Sequence, residues 1–144
     1  MLSHPDHVTV VVTNLAAGRR FFELLGFEVT IETVISGVVM EKYTGVPNIE
    51  ADHVTMVLKG ADPHFEMQLL HYRRPRVDSD PDLANLARPG FNHLCFAVKN
   101  IEEIAQTLKS AGVKFRNELM TFHDRKLLFV EGPERITIEF AEWV

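Results

Sequence analysis

Apolar and polar positions alternate along residues 7–13: Val8, Val10 and Val12 fall on one parity, and His7, Thr9, Val11 and Thr13 on the other. Period-two alternation rich in β-branched residues predicts a half-buried strand. The period then changes. Asn14 is a good helix N-cap, Phe21, Phe22, Leu24 and Leu25 form an apolar stripe, and Gly26 stands where a helix ends in a left-handed residue. Beyond it, residues 27–35, 53–58 and 65–72 read as strands, with a Gly- and Pro-containing turn at residues 59–63.

The same series recurs. At a constant offset of 86 residues, His7, Val12, Asn14 and Gly26 fall on His93, Val98, Asn100 and Gly112. Ile101, Ile104, Ala105, Leu108 and Ala111 make the second helical stripe, and residues 113–116, 126–130 and 136–143 read as strands. A second turn falls at residues 131–134. Each half is therefore βαβββ. Residues 1–144 are expected to form a single domain, with module 1 over about 5–72, module 2 over about 91–144, and residues 73–90, rich in Pro, Asp and Arg, as linker. One helix cannot cover both faces of a four-stranded sheet. The predicted fold is α+β, with two paired modules forming a curved mixed sheet around a cleft and the helices on the outer face.

Composition narrows the partners. Forty-six per cent of the 144 residues are hydrophobic, ten are Phe, and mean hydropathy is near zero, which argues for a packed core over disorder. Fifteen basic residues stand against twenty acidic ones, so no nucleic-acid partner is expected. No apolar run approaches the ~20 residues of a membrane span, and the first residues lack a signal-peptide pattern. The expectation is a soluble, cytoplasmic protein without a membrane partner. The single cysteine, Cys95, excludes an internal disulfide and Cys-rich zinc sites.

Strand parity then sorts the chemistry. Opposite the apolar sets lie His7 and Thr9, Gln68, His93 and Cys95, and Glu139. Residues 65–69 align with residues 136–140, so Gln68 and Glu139 are repeat equivalents, as His7 and His93 are. Two imidazoles and two side-chain oxygens, one of each per module, suit a divalent metal with open positions, acting as a Lewis acid on a carbonyl or enolate oxygen. Glu139 is the best candidate for both ligand and base, since a buried carboxylate must be paired, protonated or metal-bound.

From His7 to Glu142 these residues resemble the vicinal oxygen chelate superfamily, which includes glyoxalase I, extradiol dioxygenases, methylmalonyl-CoA epimerase and the bleomycin and fosfomycin resistance proteins. The resemblance rests on residues 7–12 with 21–27, on residues 90–98 and on residues 136–140. It implies His7, Gln68, His93 and Glu139 as metal ligands, a set most like that of methylmalonyl-CoA epimerase. Thr55 stands where the epimerase carries a second carboxylate base. Thr55 cannot serve as one, and with Thr9 and Cys95 it is expected to line the substrate pocket. The implied function is that of a metal-dependent isomerase or lyase of the glyoxalase or epimerase type. A small-molecule substrate would form an enolate or enediolate stabilised by a divalent ion (Zn, Co, Ni, Mn or Fe), and Glu139 would move the proton. A homodimer is expected from the same resemblance.

Two other readings stand beside it. His7, His93 and Glu139 alone make the 2-His-1-carboxylate set of Fe(II) oxygenases, which gives an extradiol-type dioxygenase. A metal-free cleft gives a small-molecule binding protein of the antibiotic-resistance type. Of the remaining candidates, Cys95 has no base partner and is not expected to be catalytic. Arg73, Arg74 and Arg76 read as a solvated basic loop, and His71 falls on the face opposite Gln68.

Overall fold

A computed structural model describes all residues, 1–144. The chain divides into two compact units, Met1–Ser79 and Asp80–Val144. The first contains β1 (His7–Val11), α1 (Leu15–Leu24), β2 (Phe27–Ser36), α2 (Val38–Thr44), β3 (Glu50–Leu58) and β4 (Glu66–Arg74). The second contains β5 (His93–Ala97), α3 (Ile101–Ser110), β6 (Met120–Phe122), β7 (Arg125–Glu131), a 3-10 turn at Pro133–Arg135 and β8 (Thr137–Trp143). Each unit holds one mixed four-stranded sheet, ordered β1-β4-β3-β2 and β5-β8-β7-β6. In each, the first strand runs parallel to the last, because the helix carries the chain across before the meander returns. This is the α+β, doubled βαβββ architecture that the repeat predicts.

The helices begin and end where the caps put them. Asn14 Oδ1 accepts from the Ala17 N–H at 3.0 Å. The last turns of α1 and α3 give way to Gly26 and Gly112, whose φ values of 95° and 79° suit a residue without a Cβ. α1 lies close on its sheet because Gly18 faces Val12 and Leu69. A Cβ there would meet their side chains at 3.3 and 3.4 Å. Under α1, Val12, Phe22, Phe27, Val54, Met56, Met67 and Leu69 are buried; under α3, Ile101, Leu108, Leu128, Val130, Ile138 and Phe140 are.

Three expectations need correction. Residues 113–116 are not a strand. Phe115 makes only an isolated bridge to Val130, because Asn117 Oδ1 takes the Phe129 N–H at 2.7 Å and ends the ladder; the sheet resumes at β6. The helix α2 had no clear apolar period and was not expected. Arg73 and Arg74 do not belong to a solvated linker. β4 extends through them, and they pair with Asp52 and Glu50 on β3 at 2.6 and 3.0 Å.

Candidate functional site

In the first unit, parallel pairing sets His7 across from Glu66 and Thr9 across from Gln68, while antiparallel pairing sets Thr55 on the other side of Gln68. Thr9, Gln68 and Thr55 thus form one row on the face opposite buried Met67 and Leu69. Thr55 is buried and Thr9 exposed. The Gln68 amide lies in a polar chain. Its Oε1 stands 3.1 Å from His53 Nε2 and 3.5 Å from Thr9 Oγ1, and its Nε2 donates to Glu66 Oε2 at 3.2 Å. His7 does not hydrogen-bond to Gln68; its Nδ1 meets Asp6 Oδ1 at 2.6 Å. That bond holds Asp6 below the usual carboxylate range. Donor atoms of Asp6, His7 and Glu66 lie within 4.8 Å of one another.

In the second unit the pairing sets Cys95 across from Glu139 and His93 across from Thr137. His93 Nε2 stands 2.9 Å from Glu139 Oε2, and its Nδ1 stands 2.7 Å from Asn92 Oδ1. The Phe129 ring packs 5.1 Å from the imidazole, centroid to centroid. The Thr137 hydroxyl is buried without a hydrogen-bond partner. Partial desolvation and the neighbouring Glu139 push the Cys95 thiol up to about 11. This leaves Cys95 protonated at neutral pH and unsuited to nucleophilic work.

Both ring nitrogens of His93 face oxygen acceptors. Asn92 Nδ2 donates to the Leu86 carbonyl at 2.6 Å, an acceptor only, so Oδ1 is the atom turned to the ring. An amide oxygen can only accept, so Nδ1 donates to Asn92, while Nε2 meets the Glu139 carboxylate either carrying a second proton, as imidazolium, or through a cation held between them. Two acceptor atoms at that separation hold a cation between them, a proton or a metal. The spacing suits a metal, since neighbouring ligands of an octahedral ion with ~2.1 Å bonds stand about 3.0 Å apart.

Asp6, His53, Glu66 and Asn92 were missed as site residues. His53 shares the parity of Thr55, and Glu66 that of Gln68. Asp6 and Asn92 precede their strands, so alternation assigned them no face. The overlooked signal was the repeat itself, which places Asp6 over Asn92 at the 86-residue offset.

The family model described as Glyoxalase/Bleomycin resistance protein/Dioxygenase superfamily matches residues 4–140. The chain belongs to this superfamily. Within it, an ethylmalonyl-CoA/methylmalonyl-CoA epimerase of Cereibacter sphaeroides is 28% identical over 118 residues, covering 79% of this chain and 75% of the relative. Glyoxalase I of Saccharomyces cerevisiae is 38% identical over 54 residues, which is 38% of this chain but only 17% of the yeast protein. Among solved structures, a glyoxalase family protein from Bacillus cereus superposes with a TM-score of 0.89 at 25% identity, covering 100% of this chain and 96% of that one. A fosfomycin resistance protein from Listeria monocytogenes shares the fold, with a TM-score of 0.66 at 13% identity, covering 100% of this chain and 96% of that one.

Proposed function

We propose that the protein is a metal-dependent isomerase or lyase that moves a proton at a carbon beside a carbonyl or thioester of a small substrate. In this reading residues 1–144 act as one domain, and His7, Gln68, His93 and Glu139 hold one divalent ion. The ion supplies Lewis acidity toward the substrate's oxygens. Glu139 takes and returns the proton, and Thr9, Thr55 and Cys95 line the substrate pocket. The observation that carries the reading is the His93–Glu139 pair, an imidazole nitrogen and a carboxylate oxygen held 2.9 Å apart. The epimerase relative supports the same class of chemistry over most of the chain. Thr55, in place of a second carboxylate, argues against a strict two-carboxylate epimerase. The remaining groups on that face able to carry a proton are His53 and Glu66, both hydrogen-bonded to Gln68.

The test is exchange of an α-proton for deuterium in metal-replete protein, followed by NMR with a 2-oxo acid, an acyl-CoA thioester and a hemithioacetal. Exchange with one of the three is expected, falling at least ~100-fold in Glu139→Gln. Metal analysis of untagged protein should give about one divalent ion per chain, lost in His93→Ala. Exchange with none of the three substrates overturns the reading. Iron together with oxygen uptake on a catechol would replace it with the dioxygenase. A chain that takes up no ion would replace it with the binding protein.

A further inference from the structure

We propose that Asp6 and Asn92 are positioning residues, each holding the Nδ1–H of the histidine that follows it and so presenting the Nε2 lone pair of His7 and His93 outward. The inference rests on the metal-site reading but concerns residues outside the ligand set. Its main support is repetition. Asp6 and Asn92 occupy equivalent places, and the same contact, side-chain Oδ1 to the next residue's Nδ1, recurs at 2.6 and 2.7 Å.

Neither contact is free to adopt the other polarity. Asn92 is turned by its bond to the Leu86 carbonyl, so it offers His93 an oxygen and not an NH2 group. An ionised Asp6 offers only acceptors. Its backbone is fixed as well, because its carbonyl accepts from the Glu66 N–H at 3.2 Å. Holding one ring nitrogen with an acceptor fixes both the tautomer and the plane of the imidazole, which is what a histidine needs in order to ligate through the other nitrogen. The two modules differ in charge. A carboxylate stands behind His7 and a neutral amide behind His93. Glu66 also lies near His7, but Gln68 Nε2 and His64 Nε2 already engage its oxygens, at 3.2 Å each. It therefore serves as a control.

The experiment uses the full chain, stripped of metal and labelled with 15N-histidine, at an alkaline pH where the rings are neutral. Two-bond proton–nitrogen correlations read each tautomer directly. The expected result is Nδ1–H for His7 in the parent chain and in Glu66→Gln, and Nδ1–H for His93 in a Glu139→Ala background, which removes the carboxylate that competes for its proton. In Asp6→Leu, and in Asn92→Leu read on that background, the affected ring should revert toward the Nε2–H form that isolated histidine favours. Titration with Mn2+ or Co2+ by calorimetry should show a ten- to hundredfold loss of affinity in each Leu variant. Asp6→Asn should weaken binding while keeping the tautomer. An Nε2–H signal for His7 in the parent chain and for His93 in Glu139→Ala overturns the proposal even if the protein binds metal. Leu variants with unchanged tautomers overturn it too. Expected tautomers in a chain that binds no ion would uphold the positioning role and refute the metal reading, so the two fail separately.

Discussion

Cys95 and Glu139 face each other across the β5–β8 ladder, and their chemistry is set by that adjacency. The thiol, though its residue is exposed, is pushed up to about 11 by partial desolvation first and by the negative carboxylate second. A raised thiol pKa means less thiolate at any neutral pH, so metal-stripped protein should react slowly with iodoacetamide at pH 8. Glu139→Gln removes one of the two causes. The alkylation rate should then rise, by up to roughly tenfold for each unit the thiol pKa falls. An unchanged rate would mean that desolvation alone holds the thiol. Parity placed Cys95 with His93, and the resemblance placed Glu139 at the site. Their pairing needed the register of two strands far apart in sequence, which alternation within one strand does not contain.

At the level of elements, the strands and helices were readable where a period persists, and unreadable where a side chain interrupts the ladder. The stripe of α1 resolves into Phe22, fully buried with its ring edge-on to Phe27 at 5.7 Å. Phe22→Ala should cost about 3–5 kcal/mol, measurable as a shift in the denaturant midpoint. The outer end of β3 and β4 is tied by charge: Arg73 first, then His71, holds Asp52 below the usual carboxylate range. A depressed folded-state pKa contributes stability that is present above the unfolded value, near 4, and is lost as pH falls through the folded value. Asp52→Asn should therefore lower stability by about 1 kcal/mol at pH 7, with the difference from the parent chain shrinking below pH 4. Melting curves at both pH values check it. Glu142 of β8 does similar work for α3, accepting the Asn100 and Ile101 N–H groups at 2.6 and 3.1 Å. Asn14 and Asn100 announced where the helices start. Nothing local announced that a carboxylate some forty residues away would finish the second cap.

For the whole molecule, the proposed metal site would make binding and stability one question. An ion that binds only the folded chain raises its stability with concentration, by about 2.7 kcal/mol at one hundred times its dissociation constant. Adding Mn2+ or Co2+ to chelator-treated protein should raise the melting temperature, and the rise should vanish in His93→Ala and in Glu139→Gln. A rise that survives in both variants would place the ion elsewhere. The chain carries a net charge of −5, and no helix is long and apolar enough to cross a membrane.

The sequence by itself determined the architecture, because that information is periodic and local. Alternation marked the strands, Asn14, Gly26, Asn100 and Gly112 bounded the helices, and the 86-residue offset revealed the duplication. It also put Gln68 and Glu139 on the parity opposite Met67, Leu69, Ile138 and Phe140, which the structure buries, since the sheet pleat dictates facing. Tertiary structure decided which atoms meet. The 2.9 Å approach of His93 to Glu139, the engagement of Gln68 by His53 and the bond from Asn92 to Leu86 all depend on register and chain path. A hydrogen bond is sensitive to tenths of an ångström, whereas a period of two or of 3.6 residues fixes only direction.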